Sequence, residues 1–334
     1  MAYGQAAAQW FAREAGPAAF RRWIDGGIAA QREQACAFAR FGLADVLAEI
    51  PDSGTRAATV AAVAREAGRH LYAGPIAELA ATGLLGVADA AVGASVVWVR
   101  DAVAVDVTME SFAEPVRLPP TPYADLADVL WLTAGADEPW IFAVMLGESA
   151  RVESVADADG TRIGVLLHVR RAGCTPVAVT KPVGAARQEI EELGWLATCA
   201  RLIGAAERAG ELARDHLLAR RQFNRPLAAF QVLQHQAVDR FLDVTLAASL
   251  LDQVLRHWGR AHERRPVLHA LKAFAATAAL EAGKTAVQHF GASGFAHDGD
   301  VGLYLRHVVA LAARGGDALE HRRLFGSAAR TLLA

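Results

Sequence analysis

The spacing of apolar residues changes twice along this chain, and that double change restricts the fold more than any other feature. From Gln5 to Leu85 apolar residues recur three and four apart in Ala-rich segments, interrupted near Gly42 and at Pro51-Asp52-Ser53-Gly54, which is helical texture. From Gly86 to Thr180 short β-rich runs take over: Ser95 to Val99, Val103 to Thr108, Val129 to Thr133, Trp140 to Leu146 and Ile163 to Val169. Turn clusters such as Pro119-Pro120-Thr121-Pro122 and Asp157-Ala158-Asp159-Gly160 separate them. From Gly184 the helical pattern returns, in stretches at Glu189 to Arg221, Phe230 to His262, Pro266 to Phe290, Val301 to Ala313 and Asp317 to Leu333. The pattern predicts an α+β chain with an N-terminal helical domain (1–85), a small middle β domain (86–181) and a C-terminal helical bundle (182–334). No Gly-x-Gly-x-x-Gly follows a strand, so a Rossmann unit is not expected.

A chain of 334 residues, 53% hydrophobic, can bury two or three cores. Its net charge of -2 gives no general attraction to nucleic acid or to an anionic membrane. No apolar run reaches membrane length and the N-terminus lacks a signal-peptide pattern, so neither a membrane nor a secretory route is expected. The three cysteines, Cys36, Cys174 and Cys199, are scattered without disulfide or metal spacing, which suits a reducing cytoplasm. Eleven histidines sit singly, without a His-Glu-x-x-His pattern, and read as surface or helix-packing residues; no metal is predicted.

Two short runs carry chemistry. Residues 220 to 231 read Arg-Arg-Gln-Phe-Asn-Arg-Pro-Leu-Ala-Ala-Phe-Gln, between two helical stretches. A guanidinium at the rim of a turn can grip a pyrophosphate through two parallel hydrogen bonds, an amide adds a donor and an acceptor, and a phenyl offers a flat apolar face. Taken alone, Arg220, Arg221 and Arg225 also suit a solvated basic helix end. The second run is Gln288-His289-Phe290-Gly291-Ala292-Ser293-Gly294-Phe295, where glycines allow close backbone approach to a ligand and Gln288 can donate and accept.

In order and spacing the first run resembles the flavin-contacting turn of acyl-CoA dehydrogenases, Arg-x-Gln-Phe-Gly-x-Pro-(Ile/Leu)-x-x-Phe-Gln, with Asn224 in place of the glycine. The second run is similar to that family's Gln-x-x-Gly-Gly-x-Gly-(Tyr/Phe) segment, and Gly204-Ala205-Ala206-Glu207-Arg208-Ala209 to its Gly-Ala-Ala helix opening. Glu66-Ala67-Gly68-Arg69 with Gly74-Pro75, and Ala124-Asp125-Leu126-Ala127-Asp128, give weaker matches. The resemblance implies the acyl-CoA dehydrogenase fold, an FAD cofactor, an acyl-CoA substrate and a homologous partner subunit. It marks Arg220, Gln222, Phe223, Gln288 and Gly291 as the half of a flavin site offered to a neighbouring chain.

The departures concern the reaction itself. The family removes the C2 proton of an acyl thioester with a carboxylate while the flavin takes a hydride from C3. At the commoner position of that base this chain has Gly315, with Asp317 where a threonine is expected, and at the alternative position it has Gly194. Glu191 and Glu192 lie close to the latter and read as solvated charges on an amphipathic helix; Asp298 and Asp300 read as loop residues. The family's Trp/Tyr-Ile-Thr-Asn flavin strand and its N-terminal Glu-x-Gly-Gly-x-Gly loop have no counterpart. Pro51 to Arg56 stands in place of the loop, and Trp98 and Trp131 read as core aromatics.

Such a chain resembles the degenerate subunits of heteromeric acyl-CoA dehydrogenases, as in steroid side-chain catabolism. A self-sufficient flavoenzyme using Glu192, Asp298 or Asp317 as an atypical base, and a scaffold without flavin, are the alternatives.

Overall fold

The computed structural model describes residues 2–85, 95–97, 121–123, 126, 129–134, 140–145, 150–156, 162–169, 174–177, 183–296 and 299–333. Contacts divide the chain into two compact units, one of Met1–Arg21, Asp52–Ala73 and Gly194–Ala334, the other of Arg22–Pro51 and Gly74–Leu193.

In the first unit, α1 (Ala2–Glu14) packs on α5 (Ser53–Arg69). The Pro51-Asp52-Ser53 signal is the start of α5: the Asp52 carboxylate accepts from the Thr55 N–H and hydroxyl, both at 2.7 Å. Helix α5 lies against α7 (Val183–Ala219), whose 37 residues span about 55 Å. Two glycines set their separation. A Cβ on Gly204 would come within 2.0 Å of the Arg65 carbonyl oxygen, and one on Gly68 within 2.1 Å of the Arg201 carbonyl oxygen. The two backbones therefore touch reciprocally, and the contact ends in ion pairs, Arg65 with Glu207 and Arg69 with Glu211 at 2.8 Å. The Glu-Ala-Gly-Arg and Gly-Ala-Ala-Glu motifs are the two sides of this one contact.

The remaining helices are α8 (Gln231–Arg256), α9 (Ala261–Phe290), α10 (Asp300–Ala313) and α11 (Ala318–Leu333), with α9 packed on the other three. The core of this unit holds Phe11, Val60, Leu196, Ile203, Leu268, Leu271, Val308 and Leu311. The junction of α8 and α9 differs from the sequence expectation. Helix α8 stops at Arg256 and α9 starts at Ala261, placing Pro266 inside the helix rather than at its start. So near the N-terminus the proline forfeits one backbone bond only, and the Arg264 guanidinium ties the turn by donating to the Trp258 carbonyl at 2.7 Å.

The second unit contains α3 (Gly27–Ala39), α4 (Leu43–Glu49), α6 (Ala77–Leu85) and the strands of two sheets. Helix α4 begins beyond Gly42, whose left-handed φ of 85° turns the chain where the sequence predicts a break. A four-stranded sheet runs β1 (Ser95–Val97), β3 (Val129–Ala134), β4 (Trp140–Met145), β7 (Cys174–Val177), with β1 and β3 parallel and the other pairs antiparallel. A three-stranded antiparallel sheet runs β2 (Thr121–Pro122), β6 (Arg162–Val169), β5 (Ala150–Ala156), with a bulge between Arg151 and Val152.

Three runs, β1, β3 and β4, match expectation to within two residues, and Ile163 to Val169 is β6. Strands β5 and β7 were not anticipated, because Ala-Arg-Val-Glu-Ser-Val-Ala lacks β-rich composition and Cys-Thr-Pro-Val contains a proline. Pro176 is tolerated since β7 is an edge strand. The run Val103 to Thr108 and residues Trp98 and Asp298 lie outside the described residues, as do all but Leu126 of Ala124 to Asp128. No helix among the described residues is long and apolar enough to cross a membrane.

Candidate functional site

Beyond α7 the Arg220 run forms a tight hairpin of β8 (Arg221–Gln222) and β9 (Arg225–Pro226). Its tip residues, Phe223 and Asn224, have φ of 48° and 64°. A two-residue hairpin whose twist suits its strands needs positive φ at both tip positions. Asn224 reaches that region readily, whereas Phe223 holds it against its own Cβ. The Leu227 N–H donates to the Arg220 carbonyl at 2.8 Å, and the Arg225 guanidinium lies over the Phe230 ring, 3.9 Å from its centroid. Arg220 and Gln222 are exposed, and Phe223, 85% exposed, stands out with its ring edge-to-face to Phe230, centroids 6.1 Å apart.

At the end of α9, Gln288 is exposed and its carbonyl accepts from the Gly291 N–H. Gly291 has φ 62° and ψ -138°, a conformation open to glycine, and nothing lies within 4 Å of where its Cβ would be. The two runs meet through an aromatic pair: His216, in the last turn of α7, stacks on Phe290 with centroids 4.1 Å apart. Arg220 follows His216 by one turn, and Gln288 precedes Phe290 by two residues, so both runs leave adjoining helix ends. His289 is buried, and its Nε2–H donates to the Gln236 side-chain oxygen at 3.1 Å. Burial, and then Arg220, pulls the His216 pKa below the ordinary 6.5; burial, and then His216, does the same for His289. Both imidazoles are neutral at pH 7. The donor set facing outward, a guanidinium, two amides and an open glycine backbone, fits an anionic dinucleotide.

The position marked by Gly315 is built differently. Gly315 has φ 69°, and a Cβ there would lie 3.0 Å from Cδ1 and 3.2 Å from Nε1 of Trp195. Its carbonyl oxygen accepts from Trp195 Nε1 at 3.0 Å and from His321 Nε2 at 2.8 Å. That fixes tautomers. With the proton on His321 Nε2, its Nδ1 accepts from His269 Nδ1–H at 2.9 Å. One turn residue further, the Gly316 carbonyl accepts from Lys272 Nζ at 2.9 Å, and Lys272 also donates to the Ala312 carbonyl at 2.8 Å, at the end of α10. Lys272 is fully buried, and desolvation draws its pKa below the usual lysine value. The turn at Gly315 and Gly316 is a knot of backbone carbonyls held by an indole, an imidazole and an ammonium.

The other acids separate clearly. Glu192 is fully buried and accepts from Gln188 Nε2 at 3.0 Å, which corrects the reading of it as a solvated charge. The reason is that α7 is buried on nearly every side from Ile190 to Ala206, so its apolar pattern has no polar face from which to read exposure. Gly194 has nothing within 4 Å of a built Cβ. Asp317 is exposed and caps α11 by accepting from the Glu320 N–H at 2.8 Å, a bond that holds its carboxyl below the usual range. Lys272 and the His269–His321 pair escaped the sequence reading. The signal for the lysine was a lone cation in the Ala-rich stretch of α9; the histidines lie 52 residues apart and left none. Cys199 is buried, its thiol pushed up to about 12 by desolvation.

A helical unit built round α7 and α9, with strands between its N-terminal and C-terminal helices, is the architecture of the acyl-CoA dehydrogenases. The structure of the ChsE4–ChsE5 complex from Mycobacterium tuberculosis has the same fold, with a TM-score of 0.77, 19% identity, 97% of this chain covered and 95% of that one. So does the Tcur3481–Tcur3483 steroid acyl-CoA dehydrogenase, with a TM-score of 0.76, 18% identity and 99% and 98% coverage. Residues 192–328 match the family model of the acyl-CoA dehydrogenase C-terminal domain. A 3-sulfinopropanoyl-CoA desulfinase from Variovorax paradoxus is 33% identical over 119 residues, 35% of this chain. The match spans 29% of that relative's length.

Proposed function

We propose that this chain is one subunit of a hetero-oligomeric FAD-dependent acyl-CoA dehydrogenase and completes the flavin site of a homologous partner. Bound FAD would supply the hydride acceptor for α,β-desaturation of an acyl-CoA thioester. In this reading Arg220 grips the pyrophosphate, Gln222 and Gln288 donate beside it, Phe223 covers an apolar face of the cofactor, and Gly291 lets the backbone approach. The observation that carries the reading is the union of an exposed donor set at Arg220 and Gln288 with a glycine at 315, whose left-handed backbone and close Trp195 ring disfavour an acid there. A glycine cannot take a proton, so the C2 proton goes to a carboxylate of the partner. That two solved structures of this fold are described as complexes or pairs of chains supports the assembly.

A second reading has one observation in its favour. Glu192 is a buried carboxylate near the family's alternative base position, so a self-sufficient enzyme would use it. Reconstitution separates the two. Purified alone and supplied with FAD, an acyl-CoA panel and a dye acceptor, the chain is expected to show no turnover. With its partner it is expected to turn over, and to stop when the partner's base is changed to glutamine. Turnover by the chain alone, abolished by Glu192→Gln, would replace the first reading with the second.

A further inference from the structure

His216 and Arg220 stand one helical turn apart at the end of α7, where the Arg220 N–H donates to the His216 carbonyl at 2.8 Å. The stack on Phe290 holds the imidazole at the root of the hairpin. Three guanidiniums stand at that hairpin, and none has a carboxylate partner among the described residues: Arg221 donates to the Asn224 carbonyl at 3.3 Å, Arg225 lies over the Phe230 ring, and Arg220 is exposed.

Nearby charges on the elements that meet here are matched in pairs. Arg214 and Asp215 pair on α7 at 2.8 Å, Arg240 and Asp243 on α8 at 3.3 Å, and Lys284 and Glu281 on α9 at 2.9 Å. Arg65 and Arg69 of α5 pair with Glu207 and Glu211 of α7. His235 and Asp239 on α8 are exposed to solvent, and His289, next to Phe290, bonds the uncharged Gln236. The Arg220 charge is the one felt at His216: burial first and Arg220 second hold its pKa below the ordinary 6.5, and His216 in turn, after burial, lowers that of His289. Coupling between a charge and a proton is reciprocal, so an anion that neutralises Arg220 returns to His216 the proton that Arg220 repels.

We propose that binding of a dinucleotide pyrophosphate at the Arg220 hairpin is coupled to uptake of one proton by His216, so that the site holds this ligand more tightly as the pH falls from 7.5 to 5.5. The identity of the ligand rests on the flavin reading; the coupling rests on the turn shared by His216 and Arg220. Without ligand the imidazole is neutral above its lowered pKa. With two phosphate charges at Arg220 that pKa rises, and between the two values binding takes up the proton. Affinity therefore gains as the pH falls through this window and is constant above and below it. One proton is taken up rather than two, because a positive His289 would face a positive His216. His216 is half-buried, so solvent screens part of the effect.

Two measurements test it. In the full chain, imidazole C–H resonances are followed by NMR from pH 5 to pH 8 with and without saturating inorganic pyrophosphate, the His216 signal being the one lost in His216→Phe. Its midpoint is expected to move upward with the anion. In the complex with the partner chain, stripped of flavin, FAD affinity is read from flavin fluorescence across the same range. It is expected to be about threefold or more higher at pH 5.5 than at pH 7.5, with about tenfold per pH unit the ceiling for one proton. His216→Phe, which keeps the ring stack, is expected to flatten the profile. A His216 midpoint unmoved by pyrophosphate, or a wild-type profile identical to that of His216→Phe, overturns the proposal. FAD held equally at every pH removes this proposal and leaves the flavin reading standing. No FAD at any pH, with the His216 midpoint still raised by pyrophosphate, removes the flavin reading and leaves the proton-linked anion site.

Discussion

The imidazole of His216 lies on the ring of Phe290, centroids 4.1 Å apart and planes 19° apart, and this pair joins the helix that leads into the Arg220 hairpin to the helix that ends at Gln288. Protonating it is unfavourable in the fold, as it is for His289. Both folded pKa values lie below 6.5, so between those values and 6.5 the unfolded chain binds more protons than the folded one. The stabilisation is complete above pH 6.5 and is lost as the pH falls below it. Thermal melting should therefore drop from pH 7 to pH 5, and His216→Phe, which keeps the stack, should shrink the drop. An identical drop in the variant rejects the assignment.

Arg220→Ala should release FAD from the assembled complex. A charge-assisted hydrogen bond contributes about 1.5–3 kcal/mol, so retention should fall by roughly tenfold to a hundredfold. The ratio of flavin to protein absorbance after gel filtration reports it, with sedimentation to confirm assembly. Full flavin content in a correctly assembled Arg220→Ala complex would remove Arg220 from the site.

Gly315→Ala should destabilise the chain by about 1–3 kcal/mol, from the left-handed backbone and the Cβ pressed on the Trp195 indole. Gly315→Glu should do no better and should not create activity in the isolated chain. Urea denaturation measures the first and the dye assay the second. An unchanged midpoint for Gly315→Ala would show that the turn yields easily.

Gly204→Ala and Gly68→Ala should each cost about 1–3 kcal/mol or more, because the added methyl meets backbone carbonyl oxygen rather than a side chain that can swing aside. A denaturation midpoint that falls with an unchanged slope is the expected result. Midpoints equal to wild type would mean that α5 and α7 can separate freely.

Removing the buried ammonium should also register. Lys272→Met leaves the Ala312 and Gly316 carbonyls without their donor, at a cost of about 1–3 kcal/mol that is read in the same denaturation experiment. Wild-type stability in that variant would show that water replaces the ammonium.

Helices and their order were legible because local periodicity and punctuation write them: Asp52 caps α5 and Gly42 turns into α4, as the residues announce. The turn after α7 was legible too, though not that it closes as a hairpin of β8 and β9. Burial of Glu192 was not, since on a helix enclosed on nearly all sides no residue of the helix itself records what surrounds it. The Gly315 knot was equally hidden. Its donors come from Trp195, Lys272 and His321, brought together by packing between helices distant in sequence. Sequence alone singled out Gly315; the donors that surround its carbonyl are a fact of the fold.

The Gly315 turn therefore limits which side chains the fold accepts there. An acid at position 315 would meet a backbone turned left-handed and an indole close to its Cβ, while its carbonyl is already bound by two donors. Any side chain placed at Gly315 is therefore opposed by the backbone and the indole before its own chemistry can act.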